Sequence, residues 1–522
     1  MQFLLINVFD CLAISFFLYL LVSLRDRQRR AGLSYPPGPP SWPIIGNLLD
    51  FPKETPWIAY ADMSKKYGDV ICLRVYSQVV VVLCSLSAMK DLLEKRGQIY
   101  SERPSLPIVE MTDMDWPIFM TGTSETWRKG RKLLDGSLRP GAMISYRQMM
   151  QEKTRDFLSK LRTNPKDFYT YIELSGKLLL SLIYGYDMTD GDKILEAPVQ
   201  ITEILAPLTL PGAALINHFP LLRHIPSWVP YFSYVPLARI VRKLSERIRN
   251  EPIDFVKNAL HNGTAVHSLA SQHLQELESL VGSERQKQEE KLCVILGIPM
   301  SFYLTPTIET VSSMISLFLA LVLFPEAQRR AQAELDVVIG RDRLPTFDDR
   351  PHLPYIEALC KELMRWQMVA PIGAIQSFLR DDIYKGCFIP KGSVMVANAW
   401  AILHDPETYP DPEEFKPERF LNDDGSVRDD PTLSVVFGLG KRICPGRHFV
   451  DATVFIVASS VLSVFNVKKA KDENGNEIPV KPTTSLHGTI SVRFLRLLGK
   501  FECSILPRDK VAEDLISAND LS

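Results

Sequence analysis

The chain has 522 residues, 46% of them hydrophobic and 23% charged, with a formal net charge of −1. These are the proportions of an ordinary globular protein, and so neutral a balance argues against nucleic acid as a partner. Eight cysteines, at 11, 72, 84, 293, 360, 387, 444 and 503, form no CxxC pair and no zinc-like spacing, which argues against a disulfide framework.

From Phe3 to Leu24 the only charge is Asp10, and Cys11–Leu24 is nearly all apolar. About 20 such residues suit one bilayer crossing. Arg25-Asp26-Arg27-Gln28-Arg29-Arg30 follows, and positive charge after a span places the remainder on the cytosolic side. There is no basic stretch before the apolar run and no small-residue cleavage site after it, so an anchor fits better than a cleaved signal; a buried helix of the fold is the competing reading. Pro36-Pro37-Gly38-Pro39-Pro40 predicts a stiff break. The expected organisation is an anchor over 1–24, a basic, proline-rich hinge over 25–40, one domain over 41–507 and a polar, mobile tail over 508–522. With that topology the sequon at Asn262-Gly263-Thr264 stays unmodified.

Within the domain, residues 70–84 predict two short strands around Tyr76-Ser77-Gln78. Ser87–Lys95 has a helical pattern, and 99–125, punctuated by proline and glycine, predicts a long loop. Helices are expected near Trp127–Leu134, at 144–162 and at 168–186. Residues 206–236 are apolar and broken by Pro207, Pro211, Pro220, Pro226, Pro230 and Pro236. An apolar loop suits a membrane surface or a lipophilic ligand, or it is a buried irregular segment. Helices are expected from Leu237 to Leu280, then a charged connector at Ser283–Lys291. Leu292–Leu323 predicts a long central helix, apolar nearly all round. Pro325–Ile339 is amphipathic, strand signals return at 383–388 and 393–397, and 466–497 predicts strands around the turn pair Asn474-Gly475. The mixture is mainly α with small β-sheets towards the two ends and no βαβ repeat.

The most informative run is Phe437-Gly438-Leu439-Gly440-Lys441-Arg442-Ile443-Cys444-Pro445-Gly446. It sets one cysteine in a glycine-flanked loop with an apolar segment behind it. Such a loop lets backbone N–H groups approach a thiolate, and the start of a following helix helps hold it ionised; a buried structural cysteine is the bland alternative. The run matches the pattern Phe-x-x-Gly-x-Arg-x-Cys-x-Gly at Phe437, Gly440, Arg442, Cys444 and Gly446, and so resembles the haem loop of the cytochrome P-450 family of haem-thiolate monooxygenases.

That resemblance implies haem b with Cys444 as the axial ligand of the iron, and a cytochrome P-450 fold. It implies that Trp127 and Arg131 of a W-x-x-x-R segment, together with Arg442, serve the haem propionates. Gln376 stands where the family often has a histidine on a propionate. Glu362-Leu363-Met364-Arg365 resembles the family's E-x-x-R helix, which pairs with a further arginine, here Arg419. In the central helix the usual Ala/Gly-Gly-x-Asp/Glu-Thr-Thr is altered: Thr305-Pro306-Thr307-Ile308-Glu309-Thr310 carries its Glu-Thr pair one residue out of register. Three explanations stay open: Glu309 with Thr310 relays protons, the substrate supplies the hydroxyl, or the reaction needs no relay. A haem-thiolate isomerase or dehydratase and a non-catalytic membrane haem protein remain alternatives. The implied partners are O2, an NADPH-cytochrome P-450 reductase docking on Arg128, Lys129, Lys132 and Lys441, and a small lipophilic substrate such as a terpenoid. Details including His404-Asp405-Pro406 and Tyr409-Pro410-Asp411-Pro412 are most similar to the fungal secondary-metabolism members, and the implied location is the endoplasmic reticulum membrane.

Overall fold

A computed structural model of the chain describes residues 24–480 and 500–518, apart from 26, 53, 177, 189–193, 195, 210–211, 230–232, 278–281, 283–287, 289–291 and 293–303; of residues 173–176, 199, 206 and 304–310 the backbone alone is described. The expected anchor over 1–24 and the charged connector at Ser283–Lys291 therefore lie almost wholly outside the described residues.

Strands β1 (Val70–Val75) and β2 (Gln78–Leu83) form an antiparallel hairpin. β2 pairs in parallel with β6 (Val394–Ala397), and β6 pairs antiparallel with β3 (Gln376–Ser377), giving the order β1-β2-β6-β3. The run Val79–Leu83 is buried on both faces, which is why it is apolar without alternation. β4 (Asp382–Tyr384) and β5 (Cys387–Ile389) make a second hairpin, and β7 (Phe465–Lys469) pairs with β8 (Cys503–Pro507). The proline-rich segment is stapled to β1. The Cys72 N–H donates to the Pro37 carbonyl at 2.8 Å, and buried Asn47 donates from Nδ2 to the Pro39 and Pro40 carbonyls at 3.1 Å each. Gly38 permits that approach, since a Cβ there would stand 1.9 Å from the Cys72 carbonyl oxygen.

The helices that carry the site are α1 (Glu125–Leu138), α2 (Arg147–Thr163), α3 (Phe168–Gly176), α4 (Val235–His261), α5 (Leu304–Leu323), α6 (Pro325–Val338), α7 (Pro354–Trp366), α8 (Arg447–Val464) and α9 (Lys510–Ala518). α2 buries Met150, Thr154, Phe157, Leu158 and Leu161, the stripe of an amphipathic helix. Almost every residue of α8 from Phe449 onward is buried. Among the described residues α8 is the one unbroken helix long and apolar enough to cross a membrane, but most of it lies inside the protein, so it is the core helix behind the cysteine loop. α5 packs on α3 and α8. Each large apolar side chain so buried contributes roughly 1.5–3 kcal/mol.

Beneath this core lies the expected ion network. Glu362 and Arg365 on α7 have no exposed surface. Arg365 forks onto Glu362 at 2.7 and 2.8 Å and donates to the carbonyls of Leu403, Pro412 and Glu414. Glu362 also accepts from the Lys416 N–H at 2.9 Å, and Arg419 Nε approaches it to 3.4 Å. Burial pushes the Glu362 carboxyl up, against the pull of Arg365. The lone pairs and protons of the pair are thus met from several sides, the condition for tolerating buried charge.

Four local expectations change. The loop at 99–125 contains a short helix at Pro107–Met111. The single strand expected at 383–388 is the β4–β5 hairpin, because Lys385 and Gly386 both adopt positive φ (48° and 76°) and turn the chain. Asn474-Gly475 does turn, with the isolated bridge Lys471–Glu477 across it among the described residues, and β7 takes its partner from β8; 481–497 of the expected strands lie outside the described residues. The polar tail expected to be mobile forms α9, with Ala512 and Ile516 buried.

Replacing Arg365 by alanine leaves Glu362 buried beside a single, more distant cation. The expected outcome is a loss of about 3–5 kcal/mol, read as a lower denaturant midpoint or as failure to accumulate soluble protein.

Candidate active site

The cysteine loop is closed by its own backbone. The Cys444 N–H donates to the Phe437 carbonyl at 2.8 Å, and the Ile443 N–H to the Gly440 carbonyl at 3.2 Å. Gly438 and Gly440 have φ of 74° and 68°, a region costly for other residues. Gly440 has a second constraint: a Cβ would stand 2.0 Å from the Leu93 carbonyl oxygen, in the π-helical turn Lys90–Lys95. The loop therefore rests directly on that turn. Cys444 lies just before α8, with Gly446 as the helix N-cap, so the helix dipole favours negative charge on its sulfur. A Cβ on Gly446 would sit 3.8 Å from Cys444 Sγ, an ordinary van der Waals distance, so this glycine lies directly against the sulfur. Arg350 holds α8 by a fork onto Asp451 at 2.8 and 2.9 Å.

Beside the loop three guanidinium groups meet. Arg442 donates to the carbonyls of Ser101, Ile118 and Thr121 at 2.8, 3.2 and 2.9 Å. Its plane lies 4.4 Å from the Trp127 ring centroid, within cation–π range. Arg131, one helical turn on from Trp127 along α1, donates to the Ile443 carbonyl and, at 2.8 Å, to Asp135. Arg103 donates to the carbonyls of Phe119 (2.6 Å), Ala374 (3.2 Å) and Ile375. Burial pulls Arg442 down to about 10, with Glu102 opposing and Arg131 adding to the fall. Burial likewise takes Arg103 down to about 9, helped by Arg442 and opposed by Glu102. Arg442 and Arg103 donate to neutral carbonyls, with Glu102 beside both and Asp135 on Arg131, so three cations face two acids and the cluster suits a further anion. Gln376 on β3 is buried, and among the described residues its Oε1 has no hydrogen-bond partner. A thiol at a helix start, a cluster of guanidiniums and a buried amide whose Nε2 is a donor together fit an iron-bearing group with carboxylate arms.

Trp127, Arg131, Arg442 and Cys444 are thus brought together, Phe437 closes the loop through its carbonyl, and Gln376 stands on the strand that follows Ile375. Glu309 and Thr310 lie on α5, whose backbone is helical from Leu304 through Pro306 to Leu323; their side chains are outside the described residues. Glu102 and Arg103, in the stretch expected as a long loop, join the site without a motif to mark them. The available signal was Arg103, the one basic residue of the sequence from 99 to 125, set beside Glu102 directly before Pro104.

A mainly helical fold with small sheets, built round a cysteine loop at the head of a core helix, defines the class. The chain belongs to the cytochrome P450 family, whose model matches residues 36–491, and it is an oxidoreductase of the monooxygenase type. It is 36% identical to Cytochrome P450 monooxygenase COX1 of Coprinopsis cinerea, over 91% of this chain and 93% of that protein. To Cytochrome P450 monooxygenase 208 of Postia placenta it is also 36% identical, over 96% and 95%. Tryptamine 4-monooxygenase of Psilocybe cyanescens is 32% identical, over 92% and 94%. These fungal relatives do not favour the isomerase and silent-protein alternatives. Haem with cysteine thiolate ligation is what the family implies.

Gly440→Ala must move either the loop or the Leu93 turn. The expected result is a lower melting temperature together with reduced haem per polypeptide, measured on purified protein; wild-type values for both would show that the contact is soft.

Proposed function

We propose that this protein is a membrane-anchored haem-thiolate monooxygenase that hydroxylates a lipophilic secondary metabolite, with a terpenoid as the substrate class. Electrons come from NADPH-cytochrome P-450 reductase and one oxygen atom from O2. The observation that carries the reading is Cys444 at the head of α8 beside the guanidinium cluster. Bound haem b supplies the redox chemistry that activates dioxygen, and a thiolate ligand favours O–O cleavage.

The residues of this chain do the rest. Cys444 would ligate the iron, its charge favoured by the α8 N-terminus. Arg442, Arg131, Trp127 and Gln376 would hold the carboxylate arms. Phe437 and Gly446 shape the loop around the sulfur. Glu309 and Thr310 are proposed to pass protons inward, since a carboxyl can serve as a general acid when burial raises its pKa. The exposed cations Arg128, Lys129, Lys132 and Lys441 offer an acidic electron donor a complementary face.

In the family the chain belongs to, residues matching 369–375 and the loop around Val109–Phe119 would line the substrate pocket, and here both are apolar enough to suit a neutral hydrocarbon skeleton. Ile108, Val109, Met114, Ile118, Val369 and Ile372 are buried. The nearby acids Glu110 and Asp113 already face Arg223 and Arg249, at 3.6 and 3.3 Å, so an ammonium substrate such as tryptamine would find them engaged. Membrane attachment is supported by an exposed apolar face. Trp42, Ile44, Leu49, Leu221 and Trp228 are 61–82% exposed. The two segments that carry them meet where a Cβ on Gly212 would stand 2.6 Å from Leu48 Cδ1. A patch of that kind marks an interaction surface, here assigned to the bilayer of the endoplasmic reticulum, with the domain on its cytosolic side.

Dithionite-reduced protein under carbon monoxide is expected to show the red-shifted Soret peak of sulfur-bound haem, and Cys444→Ser to abolish it. With reductase and a hydrophobic substrate, NADPH and O2 should be consumed in step with product. Glu309→Ala should cut product formation while leaving haem content intact; unchanged turnover would remove Glu309 from the relay.

A further inference from the structure

The tripeptide Ser101-Glu102-Arg103 touches every segment that carries a proposed carboxylate-binding residue. The Ser101 carbonyl accepts from Arg442 Nε at 2.8 Å. The Glu102 carbonyl accepts from the N–H of Ser377, the neighbour of Gln376, at 2.8 Å. The Glu102 carboxylate accepts from Thr123 twice, from its N–H at 2.9 Å and its hydroxyl at 2.7 Å, and from the Arg103 N–H at 3.0 Å. Thr123 precedes Ser124, the N-cap of α1, whose hydroxyl accepts from the Trp127 N–H at 3.1 Å. The carboxylate therefore holds the entry of the helix that bears Trp127 and Arg131. Gly122 makes room for it: a Cβ there would stand 2.0 Å from Glu102 Oε1.

We propose that Glu102 is a positioning residue of the haem site. Its carboxylate seats the start of α1 against Arg442, and its charge stands beside Arg103 and Arg442 and steadies that buried pair of cations. The assignment rests on the haem reading of the preceding subsection. It is distinct from the direct contacts of Trp127, Arg131 and Arg442, because Glu102, itself an anion, acts only through them.

The test compares wild-type, Glu102→Gln and Gly122→Ala holoenzymes. Glu102→Gln removes the charge at nearly constant volume; Gly122→Ala displaces the carboxylate without altering it. Two quantities are read: the rate of haem loss to excess apomyoglobin, and the midpoint potential of the haem retained. Each variant is expected to lose haem about tenfold faster, the worth of one charge-assisted hydrogen bond. The potential of Glu102→Gln should shift positive, because removing a nearby anion favours the reduced, more negative state. A merely structural role would lower the melting temperature and leave the potential of retained haem where it was; that result, or wild-type loss rates in both variants, overturns the proposal. If one variant fails to fold, the other decides. If wild-type protein itself lacks the sulfur-bound carbon monoxide peak, the proposed function falls rather than this assignment.

Discussion

Positive charge gathered in a place short of water is the constraint on which this structure turns. Arg103, Arg131 and Arg442 come from a loop, a helix and the cysteine loop, and each spends donors on carbonyls of another segment. Guanidinium suits this work because its planar fork keeps donating from a poorly hydrated position. The same bonds tie the loop before α1, the approach to β3 and the cysteine loop into one frame. A neutral frame could be built more cheaply from apolar contacts. That the chain keeps three cations there is the feature a structural explanation alone leaves unaccounted for.

The frame has a firm floor. α8 is buried along nearly its whole length, and α7 below carries an ion pair closed on several sides by backbone carbonyls and an N–H. The loop that presents Cys444 is thus fixed at both ends, by the Gly440 contact with the Leu93 turn and by the start of a helix that cannot shift without opening the core. Precision at the sulfur follows from rigid elements on either side of a short, glycine-shaped connection.

Much of this was legible in the chain itself. The apolar run at 79–83, the helix that carries Glu362 and Arg365 and the ten-residue cysteine run each have a local signature: continuous β-branched residues, a proline at the first helical turn with 3.6-residue periodicity behind it, and glycines at fixed offsets. What escaped was set by tertiary pairing. β7 takes β8 as its partner across a long intervening segment, which no turn signal can announce. The Lys385-Gly386 turn was hidden because a lysine occupied a positive-φ site usually held by glycine or asparagine. The polar tail forms a helix because two apolar residues, Ala512 and Ile516, find cover that only the folded body supplies. In the site, Cys444 and Arg442 could be read from a motif, whereas Glu102 and Arg103 belong to no pattern and acquire meaning only from what they touch.

The stapling of the proline-rich stretch along β1 has a mechanical corollary. Stiff segments of this composition usually act as spacers, holding two bodies apart while each turns freely. Here the stretch is welded to one of them, and Arg29 just upstream is pinned to Asp381. From Arg29 onward the chain is therefore part of the catalytic body, more like a keel than a leash, and its course there is set by the sheet it lies on.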